Sequence, residues 1–333
     1  MKITSIFMLI IVASLATNES SVKEKWRLFK ADFNKVYESP DQEAARYQNF
    51  KDNLNTIKEH NKKYNKGLVS YQLGITQFAD MNEDDFSSYL KKLPRMSSTS
   101  DPHAKPFTPL KFNVPLKKDW RDNKVISGVK DETKHCYSSW AFSAAGAIES
   151  HLAILQNSTC STLSPQNLID CSLEDGNEGC KGGNISSAFH YVQNNGIMLE
   201  EDYPYTARQQ NCSFNPNKSV TSISGYRKIP TGSEEKLQEV VGSVGPVAAG
   251  IHATRFFFLY RGGYFYDDYC SSNVNRLNRV VLIVGYSYEN EKEYWIVKNS
   301  LGWKWGIEGY MHLARNKENN CGIATAAFYP LFS

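Results

Sequence analysis

HCYSSWAFS, residues 135–143, is the stretch on which the reading of this chain turns. A cysteine and two serines are followed by Trp140, Ala141 and Phe142, and then by small and aliphatic residues to Ile148. The spacing predicts a buried helix reaching about Leu155, with Trp140, Ala144, Ile148 and Leu152 on one face and Ser138 as its N-cap. The first residue of such a helix lies against unpaired backbone N–H groups, a place suited to a nucleophile. Ser139 holds that place. A hydroxyl, unlike a thiol, needs a neighbouring base to take its proton, so the chain must supply one if the serine is to react.

Outward from this helix, SPQNLID (164–170) and AFHYVQNN (188–195) predict two more short helices. After Gly245 the pattern changes to strands: PVAAGI (246–251), RVVLIVGY (279–286), EYWIVKN (293–299) and GYMHLA (309–314). Helices first and strands afterwards argue an α+β fold with a helical lobe, an antiparallel β lobe and a cleft between them. Upstream, residues 22–90 are charged, helix-like and free of cysteine, with Val22, Trp26, Phe29 and Phe33 at helical spacing. Residues 91–112, rich in Ser, Pro and Lys, read as an exposed linker open to proteolytic nicking.

The chain of 333 residues carries a net charge of +3. It has no basic run of the kind nucleic-acid binding requires. The N-terminal MKITSIFMLIIVASLAT has an early lysine, an apolar stretch from Ile6 to Val12, and small residues at Ser14 and Ala16. That predicts a secretory signal peptide over residues 1–16, too short for a membrane span, and a protein secreted or delivered to a lysosomal lumen. Seven cysteines suit such an oxidising route, and the odd count leaves one thiol over. N-x-S/T triplets at Asn157, Asn184, Asn211 and Asn217 are candidate glycosylation sites.

With these residues in view, the chain resembles the papain-like cysteine proteases of the cathepsin L type. Arg46, Phe50, Asn53, Ile57 and Asn61 fall on the propeptide pattern E-x3-R-x3-F-x2-N-x3-I-x3-N, with Gln42 in place of the Glu. GITQFAD (74–80) resembles the second propeptide motif, with Thr76 in place of Asn. DWRDNKVISGVK, CYSSWAFSAAGAIES, LSPQNLIDC, GCKGG, EEDYPY, VVLIVGY, YWIVKNS and CGIA then match the peptidase part in order. The resemblance implies a papain-like two-lobed domain over 113–333, preceded by a helical, inhibitory propeptide and linker over 17–112. It also implies the bridges Cys136–Cys180, Cys171–Cys212 and Cys270–Cys321, which leaves Cys160 as the odd thiol in a loop.

Against the family pattern, the catalytic Cys position is Ser139 and the catalytic His position is Arg279; only Asn299, which orients the His, is kept. Arginine stays protonated and has no acceptor, so it cannot take a proton from Ser139. The oxyanion-hole Gln position, in KDETKHC (130–136), falls on Glu132 or Thr133, and Glu132 would repel a developing oxyanion. Tyr137-Ser138 replaces the Gly-Ser before the nucleophile, and Leu301 replaces a Trp. Gly182 and Gly183 match the family's backbone contact to an extended peptide, while Asn184 and Ile185 fall where its main specificity pocket is lined.

These departures imply a homologue that is inactive, or nearly so, and that acts by binding peptides or proteins in its cleft, including inhibitors or substrates of active relatives. Two alternatives are a residual hydrolase using Ser139 with His252 or water as base, and an inhibitor of active cathepsins acting through its propeptide. His252 is read as standing on a strand near the cleft; His135, His151 and His190 are read as surface or packed residues. Phe256–Phe258 is read as core on a strand and loop. Arg279 and the helix N-terminus could attract an anion, or Arg279 could pair internally with Glu132. No cofactor and no metal are expected, and a monomer is.

Overall fold

The computed structural model describes residues 20–92, 101–109, 114–133 and 135–333. The expected signal peptide lies outside these residues, as does half of the expected linker.

The front part is helical. Helix α1 spans residues 20–32, α2 runs from Pro40 to Asn65, and α3 covers Glu83–Lys92. Ser39 caps α2 by accepting from the Gln42 amide, and Gln42 Oε1 accepts in turn from the Glu38 amide at 2.7 Å. Gln42, at the third helical position, thus reaches back to the amide of Glu38, one residue before the N-cap amide that a capping box would engage. Trp26 and Phe29 pack with Phe50 and Ala79 in a small aromatic core. The spaced motif residues of α2 hold the GITQFAD segment. Asn53 donates to the carbonyls of Ala79 and Met81, Asn61 exchanges hydrogen bonds with the Leu73 backbone, and Arg46 pairs with Asp85.

Strand β1 (Tyr71–Leu73) carries this front part into the main sheet. The strands that follow are β2 (Lys118–Asp119), β3 (Ile197–Met198), β4 (Ser219–Thr221), β5 (Gly225–Lys228), β6 (Val247–Ile251), β7 (Tyr260–Phe265), β8 (Arg279–Glu289), β9 (Lys292–Lys298), β10 (Tyr310–Ala314) and β11 (Ala326–Leu331). Among the described residues the main sheet has the order β1-β7-β10-β9-β8-β6-β11-β5, with β2 also on β8, while β3 and β4 pair separately. All its pairings are antiparallel except β10 with β7. Strand β8 explains its own uninterrupted apolar sequence. Val281 and Ile283 face the core of the strand-rich lobe, while Val280, Leu282 and Val284 face the helical lobe. A strand covered on both sides has no polar alternation.

Helix α4 (Ser139–Gln156) packs on that second face with α5 (Pro165–Cys171) and α6 (Ile185–Asn195). Helix α7 (Glu234–Ser243) precedes β6, and a short α8 (Arg255–Phe258) precedes β7. Cysteines 136 and 180, 171 and 212, and 270 and 321 are bridged.

Three local readings are corrected. Ser138 occupies the N-cap position of α4 but its side chain caps nothing; Ser138 Oγ instead lies 3.0 Å from the Tyr205 hydroxyl. Leu152, read onto the buried face, is only half-buried. Phe256–Phe258 lies in the helical turn α8, not on a strand and loop, because the turn lets Phe257 and Phe258 bury successive rings on one core. No helix among the described residues is long and apolar enough to cross a membrane.

Candidate functional site

Ser139 opens α4 and is buried. Its Oγ accepts from the Val280 amide at 3.2 Å, and no other hydrogen bond reaches it among the described residues. Arg279, the first residue of β8, is therefore adjacent to the serine in space. Its guanidinium is fully engaged. Nε donates to Asn299 Oδ1 at 2.9 Å, one terminal nitrogen to Glu132 Oε1 at 2.8 Å, and the other to Ser300 Oγ at 3.3 Å. Ser300 Oγ donates onward to Glu132 Oε2 at 2.9 Å. Both side chains of the Arg279–Glu132 pair are 1% exposed.

Each partner is positioned by backbone. The Glu132 amide bonds to the Ser300 carbonyl at 2.9 Å, and the Tyr205 hydroxyl donates to the Glu132 carbonyl at 2.6 Å. Asn299 Oδ1 also accepts from the Ser300 amide. Burial pushes the Glu132 carboxyl up, opposed by the guanidinium of Arg279 and the hydroxyl of Ser300. Asn299 Nδ2 is buried without a partner.

This arrangement has a definite chemistry. Arg279 only donates, and both oxygens of Glu132 are taken, so no group in the network stands ready to accept the Ser139 proton. Of the two ways of meeting the Arg279 charge, the structure shows the internal pair. Thr133, the other oxyanion candidate, is exposed and has φ of 62°; its hydroxyl accepts from the His135 amide.

Residues 182–185 follow Cys180, whose bridge to Cys136 and whose carbonyl, bonded by the Tyr137 amide, place them beside the start of α4. Gly182 has φ of 134° and accepts a turn-closing bond from the Glu178 amide. Gly183 lies so close beneath Trp140 that an added Cβ would stand 2.6 Å from the indole. Asn184 precedes α6, its amide bonded to Asn177. Ile185, the first residue of α6, is fully buried with the prodomain docked and belongs to the core of the helical lobe. His252 lies just beyond β6, not on it, and its Nδ1 accepts from the Ser271 amide at 2.9 Å. His135 is exposed, His190 contacts Asp175, and His151 is buried with Nε2 on the Pro246 carbonyl. Cys160 is the free thiol, pushed up to about 12 mainly by burial and by Glu149, so it stays protonated. Asn157, Asn211 and Asn217 are exposed, and Asn184 is half-buried.

The front part lies over this centre. The Gln77 amide donates to the Leu301 carbonyl at 2.9 Å, Thr76 Oγ to the Phe258 carbonyl at 2.8 Å, and the Gly74 amide to the Leu259 carbonyl. Tyr89 of α3 packs edge-on against Phe258, with centroids 5.3 Å apart, and against Tyr137, 5.8 Å apart. Ser300, Tyr205 and Tyr89 were not singled out from the sequence. Ser300 adjoins Asn299 in YWIVKNS and could have been; nothing local marks the two tyrosines.

Residues 114–331 match the papain family cysteine proteases. The chain belongs to that family. Residues 26–86 match the cathepsin propeptide inhibitor domain, so the front part is a prodomain. A cathepsin L-like peptidase from Aedes aegypti is 38% identical, over 99% of this chain and 100% of its own length. Cathepsin S from Bos taurus is 39% identical, over 94% and 93%. Among solved structures, procathepsin L 3 from the larval midgut of Tenebrio molitor superposes with a TM-score of 0.87 at 44% identity, covering 93% of this chain and 99% of that one. This papain-family chain therefore has the architecture of a cathepsin L-like zymogen, with the prodomain docked.

Proposed function

We propose that this chain is a secreted, non-catalytic member of the cathepsin L group that acts by binding peptides or proteins. Ser139 and Arg279 stand, on this reading, where the family carries its nucleophile and base. The observation that supports it is the buried Arg279–Glu132 pair, whose polar atoms are spent on each other, Asn299 and Ser300. With neither a thiolate nor a base, the loss in rate is on the order of 10⁶, by analogy with removal of a serine hydrolase triad.

Turnover of a fluorogenic dipeptide amide by the main domain, after its linker has been cut and the prodomain removed, tests this. The expected result is the same background rate in the unaltered protein and in Ser139→Ala. Turnover that disappears in Ser139→Ala would make the chain a serine hydrolase and overturn the proposal. Restoring chemistry should need three changes, Ser139→Cys, Arg279→His and Glu132→Gln, because removing Arg279 alone strands a buried carboxylate.

A further inference from the structure

A recess lies away from Ser139, where the prodomain meets the strand-rich lobe. Its volume is about 820 Å³, within the range of small-molecule sites, and neither Ser139, Arg279, Glu132 nor Asn299 lines it. The prodomain supplies His60, Lys63 and Tyr64 from the end of α2, the turn 67–70 and Tyr71 of β1. The main domain supplies Tyr264 of β7, the 266–269 loop, the β8–β9 turn and His312 of β10.

Three features set its walls apart. Large apolar side chains gather in water on it: Tyr266 is 39% exposed, Leu68 69% and Tyr269 81%. The Tyr264 hydroxyl is buried and meets no hydrogen-bond partner among the described residues. Burial pushes it up to about 12, so it stays protonated and has a proton to donate. The walls are also held in place. The Tyr264 amide donates to the Ser70 carbonyl at 2.9 Å, His60 Nε2 lies 3.0 Å from the Tyr71 carbonyl, and the Tyr294 and His312 rings stack with centroids 4.2 Å apart.

The charges on the walls nearly cancel, with Asp267, Asp268 and Glu289 set against Lys63 and Lys292. Several are engaged already. Asp267 accepts from the Thr254 hydroxyl and the Tyr269 amide, the Tyr266 hydroxyl bonds to Asp268, and the Lys292 ammonium lies 5.7 Å over the Tyr264 ring. An ion finds no large unbalanced charge here, and a purely apolar ligand would bury these groups against hydrocarbon. A neutral sugar suits both kinds of wall. The C–H face of a pyranose lies on an aromatic ring, and its hydroxyls exchange hydrogen bonds with carboxylate and phenol groups.

We propose that this recess binds a neutral oligosaccharide, with Tyr266 as a stacking platform and Tyr264 and Glu289 as hydrogen-bonding groups. Since prodomain and main domain both line the site, a bound sugar stabilises the two together by mass action. The site owes nothing to the chemistry at Ser139, so it stands or falls apart from the proposed function.

The test uses the intact full chain with maltotriose, chitotriose and mannotriose as probes. Each is titrated to about 10 mM by calorimetry and followed by thermal melt. A sulfated disaccharide and tyramine serve as anionic and cationic controls. The expected result is saturable binding of at least one neutral trisaccharide, with a raised unfolding midpoint and no displacement by either control. Tyr266→Ala and Glu289→Ala should each weaken binding by about ten-fold, and Tyr264→Phe by about five-fold. Ser139→Ala should bind as the unaltered chain does. The proposal is overturned if none of the three sugars binds, or if a control displaces the sugar. It is equally overturned if binding survives all three variants while their melts show them folded, since the sugar then sits elsewhere.

Discussion

Two polar clusters are buried at the seam between the lobes, and they are built differently. In the first, Arg279 and Glu132 touch directly, with Ser300 and Asn299 completing their hydrogen bonds. In the second, Glu149 and Lys298 are joined through Ser127. Ser127 Oγ donates to Glu149 at 2.6 Å, while the Lys298 ammonium reaches the Ser127 carbonyl at 2.7 Å and its hydroxyl at 3.0 Å. The Leu163 amide satisfies the other Glu149 oxygen at 2.8 Å. Burial pushes the Lys298 ammonium down from its usual range. A cavity of about 30 Å³ separates the clusters, lined by Ser127, Glu149, Lys298, Asn299 and Ser300 among others. The difference is one of dependence. A direct pair leaves a bare buried charge when either member goes, whereas a bridged cluster keeps some partners after one loss.

The sharpest way to break the comparison is to remove one member of the direct pair. Glu132→Leu or Arg279→Met alone should each cost about 3–5 kcal/mol, measured by chemical denaturation, because each strands the other charge. The double variant should be more stable than either single one, and a double-mutant cycle in which the costs simply add would show that the pair is not a unit.

A third buried polar group, His151, shows what an uncharged site does. Burial pushes its imidazole down to about 4, against the hydrogen bond to the Pro246 carbonyl. Its folded-state value lies below the unfolded one of about 6.5. Between these values the unfolded chain takes up the proton and the folded one does not. Stability should therefore fall as pH drops from about 6.5 to 4, by about 1.4 kcal/mol per unit. His151→Gln, which keeps a donor for the Pro246 carbonyl, should flatten that part of the stability–pH curve; an unchanged slope would place the acid lability elsewhere.

The smallest effect belongs to the bridge. Ser127→Ala removes the hydroxyl between Glu149 and Lys298 but leaves the Leu163 amide and the Ser127 carbonyl in place. A loss of about 1–2 kcal/mol is expected in thermal or chemical unfolding. A loss as large as that of Arg279→Met would erase the distinction between direct and bridged clusters.

Much of the fold was legible locally. Apolar runs marked β6, β8, β9 and β10, and the small-residue spacing after Trp140 marked α4, because burial on one or both faces is written into periodicity. The propeptide motif was legible too, and the structure shows what its spacing does: Arg46, Asn53 and Asn61 each reach the segment around 73–85. The site was legible as positions and not as contacts. Ile185 reads from its motif as a pocket residue, and its full burial with the prodomain docked was not legible in the motif. Ser138 reads as a cap, but the Tyr205 hydroxyl draws its side chain away from the helix.

By itself, the sequence determined the family, the division into prodomain and two-lobed domain, and the presence of a serine and an arginine in the run of motifs. It also carried both halves of the central ion pair. Tertiary structure alone decided that they meet: Glu132 and Arg279 are 147 residues apart and come together only when the 299–301 segment lies beside the loop before α4. The same holds for Tyr89 and Tyr137, which join across the prodomain interface. Local pattern reports which face of an element is apolar. It does not report which charge or ring will stand opposite, because that is set by the packing of elements distant in the chain.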